Sequence, residues 1–193
     1  SPADIDCIFL THAHIDHSGL IPMLCKQGFK GQIVTTFATS DLCNIMLRDS
    51  AHIQEFEAEW RNRKARRAGA ALYEPLYEMQ DALDAIELLA PCDYDQKIEL
   101  YDGISVRFTD IGHLLGSACV EIWIREEGVE KKIVFSGDVG NIHQPIIKDP
   151  TQVKEADYVV IESTYGNRLH GDETPDYIGE FTRILNETFA RGG

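Results

Sequence analysis

The stretch LTHAHIDHSG, from Leu10 to Gly19, concentrates three histidines and one aspartate within six residues, in a chain that has seven histidines in all. His12 and His14 lie two positions apart, so in extended backbone their side chains leave on the same side. Asp16 and His17 follow at once, in what we expect to be a loop after a buried strand. A polar loop whose histidines only make hydrogen bonds would be a sufficient explanation for a single histidine, but it is a poor one for this group of four side chains.

Metal binding is the chemistry that this spacing favours. One cation cannot readily use all four side chains, whereas two neighbouring cations can, with His12 and His14 on one and Asp16 and His17 on the other. Imidazole and carboxylate ligands without thiolates suit Zn²⁺, Mn²⁺ or Fe²⁺. The sequence therefore predicts a metal site directly after the first strand.

Two later segments carry further candidate ligands, each after a strand-like run. DIGHLLGSA places His113 after the alternating run 104–109, and VFSGDVG places Asp138 after the run 133–135. Alone, His113 would more often be a core or capping histidine, and Asp138 a turn residue. Because both follow strands, as the first cluster does, we expect all three segments to meet at one edge of the sheets.

Composition sets broad limits on the class of protein. The chain has 193 residues, 44% of them hydrophobic and 26% charged, which is ordinary for one globular domain or most of one. No apolar run approaches the roughly 20 residues that a membrane helix needs. The five cysteines are scattered and form no CxxC pair, which indicates reduced thiols and a cytoplasmic protein.

The charge balance gives a mixed indication about partners. A formal net charge of −14 argues against a polyanionic partner, because nucleic-acid binders usually carry positive surface. Metal ligands, however, count as negative only until the metal binds. The dense basic stretch RNRKARR, 61–67, is either a solvated helix face or a local patch that contacts phosphates.

Two helices are expected in the middle of the chain. Thr39 or Ser40 can cap the first, and Gly69 can close it. The second is expected over about 78–89, with Pro91 as its stop. One stripe of the first helix should face the core, and it comprises Leu42, Ile45, Met46, Ile53, Phe56 and Trp60.

Strands dominate the rest of the chain. The segments IDCIFL and QIVTT read as buried strands, and ISVRF, ACVEIWI, KKIVFSGD and ADYVVIES as later ones, with a hairpin turn over 126–130. A final helix is expected to begin with Thr174 as its cap and Pro175 in its first turn. This mixture of strands and helices predicts an α/β or α+β layered fold.

The motifs HxHxDH at 12–17, Gly-His at 112–113 and Ser-Gly-Asp at 136–138 resemble the metallo-β-lactamase superfamily. VIESTYGNR, at 160–168, resembles the β-CASP branch, which processes RNA or DNA. Within that branch the chain looks like the RNA-processing exonucleases and the endonuclease of mRNA 3′-end cleavage. The resemblance implies an α/β fold of the αββα layered-sandwich type.

The resemblance also implies roles for individual residues. His12, His14 and His113 would bind a first Zn²⁺, Asp16 and His17 a second, and Asp138 would bridge the two, with Mn²⁺ as an alternative metal. Asp16 or Asp138 would accept a proton during the reaction. Glu162 matches an acid that supports the site by hydrogen bonding to a ligand histidine.

The same resemblance implies that residues 1–193 are a partial metallo-β-lactamase domain with a helical insertion over 40–90. The β-CASP domain and two further histidines would lie beyond the chain, and the opening strands before it. We expect such a fragment to be inactive alone, with an exposed sheet edge that allows homo-oligomers.

The expected function is metal-dependent hydrolysis of phosphodiester bonds in single-stranded RNA, with the choice between exonuclease and endonuclease left open and no membrane partner. One alternative is a hydrolase of the same fold that acts on a small ester or thioester. The other is a non-catalytic interaction module that keeps the metal fold.

Overall fold

A computed structural model describes residues 1–167 and 176–193 of the chain. They form two compact units, Ser1–Glu162 and Ser163–Gly193, which are described separately. Three predicted features lie outside the described residues: the helix cap at Thr174, the first-turn Pro175 and the last residue of the 160–168 motif, Arg168.

A parallel three-stranded sheet opens the first unit, with the strand order β1-β2-β3. The chain up to β3 comprises a 3-10 helix Pro2–Asp4, β1 Cys7–Phe9, α1 Ile15–Ser18, α2 Ile21–Lys26, β2 Gln32–Thr36, α3 Phe37–Ala68, α4 Met79–Glu87 and β3 Leu89–Cys92. The two strands predicted before residue 40 are therefore confirmed.

A second sheet of five strands follows, in the order β4-β5-β6-β7-β8. Its strands are β4 Ile98–Tyr101, β5 Ile104–Asp110, β6 Ala118–Glu126, β7 Val129–Phe135 and β8 Tyr158–Val160. The first four are antiparallel neighbours, and β8 lies parallel to β7. Glu127 and Gly128 both have positive φ between β6 and β7, as a two-residue type I′ turn requires, so the predicted hairpin is confirmed.

Two hydrophobic cores lie between the layers of the first unit. Between the sheets, alternate residues of β5 and β6 pack against β2 and β3, and this core contains Val34, Cys92, Val106, Phe108, Ala118 and Val120. On the other face of the first sheet lie α2, α3 and α4, whose shared core includes Ile33, Cys43, Leu47, Tyr77 and Ala82. The order is helices, first sheet, second sheet, in agreement with the predicted α/β layered sandwich.

The long helix α3 closes at Gly69 as predicted, with φ +64°, but the predicted cap is wrong. Thr36 is the N-cap, and its side chain accepts a hydrogen bond from the backbone N–H of Thr39. Since β2 runs directly into α3, no loop remains in which Thr39 or Ser40 could stand outside the helix.

The predicted buried stripe of α3 is wrong for four of its six members. The helix buries Cys43, Leu47, Ala51 and Ala58. Three of these four side chains are small, which lets the helix lie close to the first sheet and α4. Leu42 and Met46 are partly buried beside them. The other four stripe residues are exposed: Ile45, Ile53, Phe56 and Trp60.

The second predicted helix exists as α4, but Pro91 does not stop it. The chain leaves α4 after Glu87 because Leu88 accepts a hydrogen bond from Ile33 and β3 begins. Pro91 lies inside β3, opposite Thr35. It is tolerated there because β3 is the edge strand, so one side of its backbone is left unpaired.

The described part of the second unit includes the helix α5 Tyr177–Ala190, which Asp176 caps by accepting a hydrogen bond from Gly179 N–H. Across the described ranges, 1–167 and 176–193, no helix is both long and apolar enough to cross a membrane. All five cysteines are free thiols, and three of them are buried.

Candidate metal centre

Four side chains from three separate segments meet at the edge of the two sheets. One ligand atom each from His12, His14, His113 and Asp138 lies within 4.8 Å of all the others. His14 Nδ1 lies 3.1 Å from His12 Nε2 and 3.1 Å from His113 Nε2. Asp138 Oδ2 lies 3.6 Å from His12 Nε2 and 3.5 Å from His113 Nε2.

These separations match the ligand spacing of a tetrahedral metal. With metal–nitrogen bonds near 2.0–2.1 Å, the edges of a tetrahedron measure roughly 3.3 Å. The four measured separations, from 3.1 to 3.6 Å, straddle that value. The other two separations lie within 4.8 Å as well, so the four ligand atoms are close enough to share one metal ion.

The second oxygen of Asp138 faces a different pair of groups. Asp138 Oδ1 lies 3.3 Å from His17 Nε2, and His17 Nε2 lies 3.5 Å from Asp16 Oδ2. Asp138 thus presents one oxygen to the three-histidine side and the other to His17 and Asp16. This is the arrangement that a carboxylate shared by two cations would need.

The first segment is held by hydrogen bonds within its own loop. Ser18 is buried, and its hydroxyl donates to the carbonyl oxygens of Ala13 and His14 at 2.9 and 3.0 Å. The hydroxyl of Thr11 lies 3.1 Å from His12 Nδ1. Since the Nδ1 side of His12 is engaged by Thr11, its Nε2 is the nitrogen that faces the cluster.

The loop that carries His113 is held by Ser117 and by the start of α3. The buried Ser117 hydroxyl accepts hydrogen bonds from the backbone N–H groups of His113 and Leu114. Gly116 has φ +88°, and its carbonyl accepts a hydrogen bond from the Thr39 hydroxyl at 2.8 Å. A side chain at Gly116 would meet the Thr39 backbone nitrogen at 2.5 Å, so only glycine fits there.

The loop that carries Asp138 contacts both the first segment and β8. Gly137 has φ +58°, and an added Cβ would lie 2.9 Å from the Cβ of Thr11. Glu162, after β8, accepts a hydrogen bond from Val139 N–H and donates its own N–H to the Ser136 hydroxyl. Glu162 therefore braces the turn on which Asp138 stands.

The comparisons with known proteins agree with this geometry. A family model described as the β-lactamase superfamily domain matches residues 1–182. The chain belongs to the β-lactamase superfamily. The resemblance seen in the motifs is thus confirmed at the level of the family.

Within the superfamily the chain is similar to two proteins named as ribonucleases and to one named as a transcription termination factor. Ribonuclease TTHA0252 of Thermus thermophilus is 32% identical over 100% of this chain and 39% of its own length. The probable RNase MJ4 of Methanocaldococcus jannaschii is 31% identical over 98% of this chain and 41% of its own. Transcription termination factor FttA of Methanococcus maripaludis is 29% identical over 98% and 28%. The chain spans less than half the length of these curated relatives.

A crystal structure of a subclass B3 metallo-β-lactamase of Bradyrhizobium japonicum also matches. It is 13% identical with a TM-score of 0.47, and the match covers 100% of this chain and 77% of that one.

The electrostatics of this β-lactamase-superfamily site favour the neutral form of two of its imidazoles, His12 and His113. Burial and the neighbouring His17 lower the pKa of His12 to about 4. Burial also lowers the pKa of His113, against the opposing charges of Asp138 and Glu162. A metal ligand must carry a free lone pair, and the lowered pKa values of His12 and His113 favour the neutral form that carries one.

Sequence reasoning selected the residues that meet here but missed the side chains that hold them. Thr11, Ser18 and Ser117 each bond to a candidate ligand or to its loop. Thr11 and Ser18 flank the histidine motif, and Ser117 lies four residues after His113. Small hydroxyl residues so close to candidate ligands are a usable signal for such supporting contacts.

Proposed function

We propose that the full-length protein is a metal-dependent phosphodiester hydrolase acting on single-stranded RNA, a β-CASP-type ribonuclease. The observation that carries the proposal is the convergence of three imidazoles on Asp138, with His17 and Asp16 on the other side of that carboxylate. The ribonuclease names of the relatives support RNA over a small ester or thioester as the substrate.

In this proposal His12, His14 and His113 hold a first Zn²⁺, and His17 and Asp16 contribute to a second, with Mn²⁺ able to replace either. Asp138 lies between the two positions. Residues 1–193 form a partial metallo-β-lactamase domain, in which the helices of 40–90 are an insertion. The protein works in the cytoplasm, and its exposed β8 edge allows self-association.

Bound cations at such a site lower the pKa of water and stabilise the charge that develops on phosphate oxygens. Side chains of the protein itself would transfer the proton and position the reacting groups. Asp138 or Asp16 accepts the proton of the attacking water, because Asp138 lies beside His12, His17 and His113 and Asp16 lies 3.5 Å from His17. Glu162 keeps Asp138 aimed through the Val139 hydrogen bond, a positioning role that a change of its charge would disturb.

Removal of Asp138 tests the assignment. We expect the Asp138→Ala variant of the full-length protein to lose Zn²⁺- or Mn²⁺-dependent cleavage of an end-labelled oligoribonucleotide. The matched control is Asp149→Ala, because Asp149 accepts a hydrogen bond from His143 N–H outside the cluster. Undiminished cleavage by Asp138→Ala would refute the proposal, and so would an intact protein that hydrolyses thioesters but no RNA.

A further inference from the structure

The distal half of α3 and the loop after it carry a charge opposite to that of the whole chain. Residues 60–73 contain five of the chain's eighteen Lys and Arg side chains and no acidic residue, whereas the whole chain has a net charge of −14. All five are exposed: Arg61, Arg63, Lys64, Arg66 and Arg67. A polyanion therefore meets a local attraction here that the average charge hides.

Aromatic rings stand among these cations. Trp60 is 49% exposed, with Lys64 Nζ 3.9 Å from its ring centroid. Tyr73 is 41% exposed, with the Arg61 guanidinium 4.7 Å from its ring centroid. An open depression of about 290 Å³ is lined by Phe56, Glu57, Trp60 and Arg61. The acidic side chain in this lining, Glu57, pairs with Arg61 at 3.5 Å.

The loop after α3 is held in place against the helix. Asn62 Nδ2 donates to the carbonyl of Tyr73 at 2.8 Å, and Asn62 Oδ1 accepts from Tyr73 N–H at 2.7 Å. These two bonds hold the Tyr73 backbone against the helix, and the Tyr73 ring lies beside Arg61. This part of the surface is therefore partly preorganised, which lowers the entropic cost of holding a ligand.

We propose that Trp60, Arg61, Arg63, Lys64, Arg67 and Tyr73, here called the α3 platform, form a second binding site for single-stranded RNA, remote from the metal centre. A nucleotide presents a flat π-face and a phosphate close together, and a ring paired with a cation offers a partner to each. The inference rests on the proposed function, because the platform would bind a further part of the RNA strand that the metal centre would cleave.

The fold sets the distance between the platform and the metal centre. The start of α3 is fastened to the His113 loop by the bonds from Thr36 and Thr39 to Gly116. From Thr39 to Lys64 the helix rises about 37 Å, at roughly 1.5 Å per residue. A stacked strand covers this distance with about 11 nucleotides, at roughly 3.4 Å each.

This distance makes the proposal testable by substrate length. The probes are oligouridylates of about 5 and about 20 nucleotides, only the longer of which can span both sites. The variant reverses three platform charges in the full-length protein: Arg63→Glu, Lys64→Glu and Arg67→Glu. The matched control makes the same change in charge at exposed positions elsewhere: Lys30→Glu, Arg48→Glu and Lys154→Glu.

We expect the platform variant to bind the long probe at least about tenfold more weakly, with the slope of log affinity against log salt reduced by about 2 for three lost phosphate contacts. The control variant should show less than half of this decrease in log affinity and in salt slope. Cleavage of the short probe should stay unchanged in both. Trp60→Ala should weaken binding of the long probe by about tenfold without changing the salt slope, whereas Trp60→Phe should retain most of the affinity.

The outcomes separate this proposal from the proposed function. If wild-type protein cleaves both probes and the platform variant binds the long one as tightly as wild type, the platform is wrong and the ribonuclease stands. If wild-type protein neither binds nor cleaves RNA, both proposals fall. If the variants lose binding to phosphatidylserine vesicles but keep their affinity for RNA, the surface belongs to a membrane contact and the platform is overturned.

Discussion

Glu121 on β6 and His12 after β1 are both fully buried ionisable side chains of the same sheet pair, yet their surroundings differ. Glu121 receives two hydrogen bonds from Arg107, one from Thr109 and an ion pair from Lys132. His12 is surrounded by three more imidazoles and one carboxylate.

The difference distinguishes a structural polar cluster from a functional one. Around Glu121, each acceptor faces a donor of opposite charge, so nothing further is needed for stability. Around His12, nitrogen lone pairs converge on one point with a single carboxylate, and a cation would complete them. Buried charge that is already compensated predicts stability, and buried acceptors that face one another predict a ligand.

The largest effect on folding is expected from the Glu121 cluster. Glu121→Ala leaves the Arg107 and Lys132 cations without their shared carboxylate, which should lower the free energy of unfolding by about 3 kcal/mol. Asp138→Ala should change it far less, because Asp138 is partly exposed and, within the described part of the chain, no Lys or Arg side chain is paired with it as Arg107 and Lys132 are with Glu121. Urea unfolding of both variants checks the contrast. Equal losses in the two would remove the distinction between the clusters.

The same cluster should dominate the acid sensitivity of the fold. Burial alone would raise the pKa of Glu121, but hydrogen bonds from Arg107, Lys132 and Thr109 outweigh it and lower the pKa to about 2. Because the unfolded chain binds this proton at higher pH, the stabilisation is complete above about pH 5 and is lost as the pH falls towards 2. Its full size is roughly 3 kcal/mol. Glu121→Gln should flatten unfolding free energy against pH in this range, and a profile as steep as wild type would contradict the assignment.

A smaller effect, confined to the metal centre, is expected from its supporting hydroxyl. Thr11→Val removes the group beside His12 Nδ1 while keeping the shape of the side chain. Metal affinity should fall by about 10- to 100-fold, because such contacts set the tautomer and orientation of a ligand histidine. Competition with a chromophoric chelator measures it, and Thr151→Val is the control on an exposed loop. Equal Zn²⁺ affinity in the two variants would mean that Thr11 does not orient His12.

The smallest effect is expected from an exposed ion-pair cluster in the second unit. Arg183 on α5 bonds to Glu180 and Glu187 at 2.9 and 2.8 Å, but all three side chains are more than half exposed. Solvent and salt screen such pairs, so Arg183→Ala should leave the thermal unfolding midpoint within measurement error of wild type. A shift as large as that of Glu121→Ala would show that burial is not what separates the two clusters.

The candidate ligands could be predicted from the sequence because their chemistry is local. The alternation of His12 and His14 fixes which side of the backbone they leave, and strand patterns before His113 and Asp138 place both at strand ends. The hairpin at Glu127–Gly128 and the helix end at Gly69 were readable for the same reason. Positive φ favours particular residues wherever it occurs.

Other features depended on partners far away in the chain. The apolar stripe of α3 has helical spacing, yet a different face of the helix, with Cys43 and Leu47, packs against the first sheet and α4. Phe56 and Trp60 are exposed to solvent. β3 was missed because Pro91 argues against a strand, and only its position at the sheet edge makes it acceptable.

The sequence by itself determined which side chains could bind a metal and the strands that carry them, because backbone stereochemistry and residue type act over a few neighbouring positions. Only the tertiary structure decided that one oxygen of Asp138 faces His12 and His113 and the other faces His17. It also decided that Glu121 would be compensated and that the α3 platform would be exposed. Burial and charge pairing depend on which surfaces pack together, and no short stretch of sequence contains that information.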